Sequence, residues 1–283
     1  MNTPSPAPVQ IPARRSDSHK GNFGRVMMIG GSRGMSGSIS LAALAALKTG
    51  SGLVTAAVPD RCLETVAAFH PCVMTIALPD DEYGAFAVDA PSRLSNALAK
   101  FDAVGAGPGM TTGPGSVRIV ERLLALTSIP RVLDADAINV MAELDWATTH
   151  PDQVGPLVLT PHPGELHRLV GVAPKDRELQ IVASETLANR TGAVIVVKGG
   201  PTVVVGPDGR YTNTTGNPGM ATGGSGDVLT GVIASLLGQG LSPWDAARLG
   251  VWIHGRAGDL AATQYGQASM TALEIVHSLH RAF

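Results

Sequence analysis

Eight short apolar runs punctuate the chain: RVMMIGG from Arg25, LVTAAVP from Leu53, CVMTIAL from Cys72, AVGAGPG from Ala103, RVLDADA from Arg131, LVLTPH from Leu157, AVIVVKGG from Ala193 and TVVVGP from Thr202. Each is continuous rather than alternating, as expected of strands buried on both faces, and each stops at Gly, Pro or Asp. Helical stretches lie between several of them, SISLAALAALKTG and GSVRIVERLLALT among them. Strand and helix in alternation predict an α/β fold: a mostly parallel central sheet with helices on both faces, a three-layer sandwich. The last quarter turns helical. Ser242-Pro243-Trp244-Asp245 reads as N-cap, N1 proline and an acid at N3, opening a helix through about Ala262, and Thr271 with Glu274 forms a capping box for the final one. No internal repeat interrupts the pattern. It predicts an N-terminal arm over residues 1–18, flexible or wrapped, and one domain over 19–283.

Composition narrows the class. Hydrophobic residues make up 44% of the 283 but aromatics only 4%, so the core is aliphatic. The 34 glycines exceed the usual ~7% and gather at the ends of apolar runs, as tight strand-to-helix turns require. A net charge of −2 with mixed signs gives no basic face for nucleic acid. No apolar run approaches the ~20 residues of a membrane span, and the Pro-rich N-terminus lacks a signal peptide's apolar region. Cys62 and Cys72 are the only cysteines, have no metal-ligand spacing, and suit a reducing cytoplasm.

The most concentrated chemistry lies in GNPGMATGGSGDVLTG, residues 216–231. Gly223, Gly224 and Gly226 surround Ser225 just ahead of an apolar helix, so backbone N–H groups gather at the positive end of a helix dipole, where phosphate binds. Asp227 falls in the first turn, facing whatever the amides hold. A capped helix with a tight turn would need one glycine; three beside an acid point to a ligand. In open parallel sheets ligands bind beyond the carboxyl ends of the strands, and the other polar candidates cluster there. Gly105 to Gly109 allow close backbone approach. Asp134 and Asp136, flanking Ala135 in a strand, would face opposite sides; one could hold Mg²⁺ through water while the other caps a helix starting near Ile138. In TPHPGE two prolines present His162 and Glu165 rigidly. Lys198-Gly199-Gly200-Pro201-Thr202 joins two strands, either as a plain hairpin or as a nucleotide contact. Residues 30–37, GGSRGMSG, lack the G-x-G-x-x-G spacing, no Tyr-x-x-x-Lys is present, and no G-x-x-x-x-G-K-[ST] exists, which excludes nicotinamide Rossmann and Walker sites.

From His19 onward the chain resembles the carbohydrate-kinase-like ADP/ATP-dependent NAD(P)H-hydrate dehydratases. The likeness rests on HKGNFGRVMMIGGS, MSGSISLAALAALKTGSGLV, GAGPG, VLDADAIN, LTPHPGE, VVKGG and NPGMATGGSGDVLTG in that order. It implies a ribokinase-like fold and a repair reaction on NADH or NADPH hydrated at nicotinamide C6: the hydroxyl is phosphorylated from ADP or ATP, and phosphate then leaves. Carried over, Asp227 is the base and Gly224, Ser225 and Gly226 form the anion hole. Ser38, Gly109, His162 and Asp227 contact the hydrated dinucleotide. Lys198, Gly199, Gly200, Pro201, Thr202 and Gly226 line the nucleotide site, and Asp134 and Glu165 reach Mg²⁺ through water. Relatives often carry alanine where this chain has Ser38. Many also carry an N-terminal epimerase domain; this chain is expected to act on the S epimer with an epimerase supplied separately, as a homo-oligomer, a tetramer by the same likeness. Vitamin-precursor kinases of this fold are the alternative, but they favour D-P-V and T-P-N-x-x-E where this chain has Asp134-Ala135-Asp136 and TPHPGE. A non-catalytic nucleotide-binding regulator is a further alternative, which the retained Asp227 opposes.

Overall fold

The computed structural model describes residues 6–11, 13–149 and 154–283. Its strands are β1 (Arg25–Ile29), β2 (Leu53–Pro59), β3 (Met74–Leu78), β4 (Ala103–Ala106), β5 (Arg131–Leu133), β6 (Leu157–Leu159), β7 (Val194–Val197), β8 (Val203–Gly206) and β9 (Gly209–Thr212). They form one sheet in the order β3-β2-β1-β4-β5-β6-β7-β8-β9. Neighbours from β3 to β7 are parallel, while β7, β8 and β9 run antiparallel. All eight apolar runs are therefore strands. The ninth, GRYT, carries no apolar run, because this edge strand is mostly exposed and is held by its ladder to β8.

The helices are α1 (Ser36–Lys48), α2 (Leu63–Phe69), α3 (Ala90–Leu98), α4 (Pro114–Leu124), α5 (Asp136–Glu143), α6 (Trp146–Thr149), α7 (Pro163–Val170), α8 (Arg177–Thr191), α9 (Ser225–Gly238), α10 (Pro243–Tyr265) and α11 (Ala272–Ser278). They sort by sheet face. Val26 and Met28 of β1 enter one apolar layer with α1, α9, α10 and α11, while Met27 and Ile29 enter the other with α3, α4, α5, α7 and α8. All four side chains are fully buried, which is why this strand reads as continuously apolar. None of the helices among the described residues is long and apolar enough to cross a membrane.

Two corrections concern helix bounds. The expected alternation of Asp134 and Asp136 does not hold, because β5 ends at Leu133 and Ala135 takes φ 49°. Helix α5 then begins at Asp136, two residues before Ile138. The helix capped by Ser242 continues to Tyr265, three residues beyond Ala262. The Thr271–Glu274 capping box forms as expected.

Two close backbone approaches depend on glycine. A Cβ at Gly231 would stand 2.0 Å from Ala42 O, so only glycine lets α9 meet α1 at this depth. Gly107 has φ 123°, and a Cβ there would fall 1.8 Å from Asp134 O. Of the N-terminal arm, Val9 and Ile11 pack on the layer around α1. Arg14 donates to Gly50 O at 2.5 Å and lies 3.9 Å over the Phe23 ring.

Candidate active site

The carboxyl ends of β1, β4, β5, β6 and β7 and the N-terminus of α9 converge. Gly224, with φ 87°, is the N-cap of α9, and Asp227 is its third residue. The first N–H groups of any helix lack intrahelical partners. Here the Ser225 amide donates to Thr222 O at 3.3 Å. The amides of Gly224 and Gly226 have no backbone acceptor among the described residues. Open space surrounds the position a Cβ would take at Gly223. The turn therefore offers N–H groups and room for an anion, with Ser225 the most committed internally.

Asp227 is the strongest acid/base candidate. Burial pushes its carboxyl up to about 6, and the nearby charges of Asp134 and Asp136 add to the effect; a hydrogen bond from Ser38 and the charge of Lys198 pull the other way. Ser38 belongs to α1, and a Cβ at Gly109 would lie 3.2 Å from its Cβ. Ser38, Gly109 and Asp227 are thus brought together from three connections.

On the other side of Asp227 lies a charge cluster. Lys198 Nζ donates to Asp134 Oδ1 at 2.8 Å and lies 4.0 Å from Glu165 Oε2. Burial disfavours this ammonium, but Asp134, Glu165 and Asp227 more than offset that and hold its pKa above the ordinary value. Asp134, only 1% exposed, also accepts from Thr230 Oγ1 at 2.7 Å. A Cβ at Gly226 would stand 3.2 Å from Lys198 Nζ and 3.6 Å from Asp134 Oδ2. Lys198 therefore sits against the anion turn. Gly199 to Thr202 continue as the β7–β8 connection, where Arg177 donates to the carbonyls of Lys198 and Pro201 and Thr202 donates to Gly199 O.

His162 is the N-cap of α7: its Nδ1 accepts from Gly164 N at 2.9 Å and Glu165 N at 3.2 Å. Glu165 completes the capping box, its Oε2 accepting from His162 N at 2.8 Å. With Nδ1 an acceptor, the ring proton sits on Nε2, which lies 3.1 Å from Glu165 Oε1. Burial, then Lys198, lowers the His162 pKa and keeps the ring neutral. Burial pushes Glu165 up to about 7; Lys198 opposes this and Asp134 adds to it. The ring remains half exposed and faces outward, available to a ligand.

Two contributors were not marked by the sequence reading. Thr230 lies one helical turn after Asp227, so its spacing could have revealed it. Buried His254 on α10 lies 3.4 Å from Ser225 Oγ, and burial holds it down to about 4, hence neutral; no local pattern points to it. Asp136 accepts from Thr111 N at 2.9 Å and braces the loop after β4.

No group of three or more His, Cys, Asp or Glu suited to a metal exists among the described residues. Asp134 and Glu165 do not make a protein cage. Both flank the lysine that stands against the α9 turn.

The NAD(P)H-hydrate dehydratase family profile matches residues 26–281. A bifunctional NAD(P)H-hydrate repair enzyme of Moorella thermoacetica is 48% identical over 95% of this chain and 51% of its own length. An ADP-dependent (S)-NAD(P)H-hydrate dehydratase of Neisseria meningitidis is 38% identical over 91% of this chain and 83% of its own. The crystal structure of the Bacillus subtilis ADP/ATP-dependent NAD(P)H-hydrate dehydratase, co-crystallised with ATP and Mg²⁺, superimposes with a TM-score of 0.82 at 29% identity, covering 96% of this chain and 92% of that one. The chain spans about half the length of the bifunctional relatives it matches. By family profile, sequence and fold alike, this chain belongs to the NAD(P)H-hydrate dehydratase family.

Proposed function

We propose that this chain dehydrates the S epimer of hydrated NADH and NADPH, using ADP or ATP as phosphoryl donor. The observation that carries the reading is Asp227: a carboxylate held at about 6, in contact with Ser38, at the mouth of an amide-rich helix start. A base is most effective when its pKa lies near the working pH. Asp227 takes the proton of the C6 hydroxyl as the hydroxyl oxygen attacks the terminal phosphorus of the donor. Amides of the Gly224–Gly226 turn and the Lys198 ammonium stabilise charge on the transferring group. The C6–O bond of the phosphate ester then breaks, a proton leaves C5, and the dihydropyridine is restored with release of AMP or ADP and inorganic phosphate. Hydroxide is a poor leaving group and phosphate a good one, which is the purpose of the phosphorylation. Asp134 and Glu165 would hold Mg²⁺ through water, and that ion would neutralise phosphate charge. His162 and Gly109 position the hydrated ring, and Lys198 to Thr202 the nucleotide. ADP is the donor in the name of the Neisseria relative, which favours it here. A cytoplasmic homo-oligomer coupled to an NAD(P)H-hydrate epimerase fits this reading.

The test is recovery of the NADH absorbance band from a hydrated NADH preparation, with AMP and phosphate released one for one. A stable phosphorylated alcohol would identify a small-molecule kinase instead. Ser38→Ala gives a second expected result. Its hydrogen bond holds the Asp227 pKa down, so its loss shifts the acid limb of kcat/KM to higher pH. An unshifted pH profile would show that this hydroxyl does not tune the base.

A further inference from the structure

A recess of about 490 Å³ opens beside the site, lined by Thr112 after β4, by Asn139, Ala142 and Glu143 on α5, and by Arg168 on α7. These elements follow β4, β5 and β6, the adjacent strands whose ends carry Gly109, Asp134 and His162. The nucleotide loop follows β7. On the roles proposed above, the recess therefore belongs to the strands that carry the substrate contacts rather than to the nucleotide loop.

Arg168 is the cation of this recess, and an amide rather than an acid holds it. Its Nη1 donates to Asn139 Oδ1 at 3.0 Å. Asn139 Nδ2 donates in turn to Asp136 Oδ1 at 3.4 Å, and Asp136 Oδ2 accepts from Thr111 N at 2.9 Å. The guanidinium is therefore fixed, through two side chains, to the loop that presents Gly109. It makes no ion pair among the described residues. Among the described residues four of its five N–H donors meet no acceptor, and they form a fork suited to a phosphate. Its charge reaches His162, whose protonation it opposes. Thr111, held at φ 63° in the same loop, keeps a buried hydroxyl with no partner among the described residues. Glu143 on the rim supplies an acceptor of the kind that ribose hydroxyls use.

We propose that this recess receives the distal part of the hydrated dinucleotide and that Arg168 binds one of its phosphates. The inference rests on the function proposed above. It makes Arg168 a substrate-binding residue that separates recognition of the dinucleotide from recognition of ADP.

NADPH, whose fluorescence reports binding without turnover, is the probe, used alongside NADH and ADP on the intact chain. Arg168→Ala should weaken NADPH binding about tenfold or more, the usual scale for a lost charged hydrogen bond, and leave ADP affinity within twofold. Arg168→Lys should recover part of the loss. An equal factor for NADH and NADPH assigns the contact to the diphosphate; a larger factor for NADPH assigns it to the 2′-phosphate. Unchanged NADPH affinity, or ADP affinity falling by the same factor, overturns the inference. A parent chain that binds NADPH through Arg168 but restores no hydrated NADH would refute the proposed reaction and leave this contact standing.

Discussion

Asp227→Asn should turn over hydrated NADH at less than about one thousandth of the parent rate, within the range lost with a general base, and yet melt higher than the parent at pH 8. Both halves follow from one fact: burial, helped by Asp134 and Asp136, raises this carboxyl to about 6 from an ordinary 3.8. A raised folded-state pKa means that the fold favours the protonated form. The stability it contributes is complete below about 3.8 and is lost as pH rises through about 6, where the folded chain must carry an unfavourable charge. Asparagine removes that charge. A rise of about two in pKa, at about 1.4 kcal/mol for each, sets a ceiling near 3 kcal/mol, or roughly 6 °C in melting temperature for a chain of this size. The gain should be largest at pH 8 and absent at pH 4. Activity runs the other way, since the base works only when ionised: kcat/KM of the parent should fall as pH drops through about 6. Nucleotide should still bind the variant, because the amides of Gly224 and Gly226 are untouched. Substantial residual turnover would remove Asp227 from the base role. A melting gain equal at pH 4 and pH 8 would show that charge is not its cause.

The strands were legible because each is buried on both faces and so writes a continuous apolar run; β9, exposed at the edge, writes none and went unread. Helix starts capped by Ser242 and Thr271 were legible because a cap is a local contact, three residues long. The failure at Asp134 and Asp136 is also local: Ala135 adopts φ 49°, which alanine rarely does, and no residue type announces it. Gly224 to Asp227 could be placed at a helix start because the chemistry and the turn lie in one segment. The contacts that tune that site could not, since they join distant segments. Lys198 meets Asp134 across 64 positions and Thr230 meets it across 96. The hairpin reading of the Lys198–Thr202 segment holds, since β7 and β8 pair antiparallel. The backbone after β7 makes the turn, while the ammonium points inward between two carboxyls.

That inward ammonium supports the second large expectation. Lys198→Met should destabilise the fold by about 3–5 kcal/mol, the cost of leaving one partner of a buried ion pair unmatched. At about 2 °C per kcal/mol this is a drop of roughly 6–10 °C in melting temperature. Asp134 is 1% exposed and, among the described residues, would keep only the hydroxyl of Thr230 as a side-chain donor. Activity falls for a different reason. Lys198 holds the Asp227 pKa down and stands against Gly226 in the anion turn. Its removal should therefore raise KM for ADP and move the acid limb of kcat/KM upward together. Adding Asp134→Asn separates the two effects, because it removes the orphaned charge without restoring the cation. The double variant Lys198→Met with Asp134→Asn should regain most of the lost melting temperature and remain poor in ADP binding. If the double variant melts as low as the single one, unpaired charge on Asp134 is not the source of the loss. If it binds ADP normally, Lys198 serves the fold alone and phosphoryl stabilisation must rest on the amides of the α9 turn.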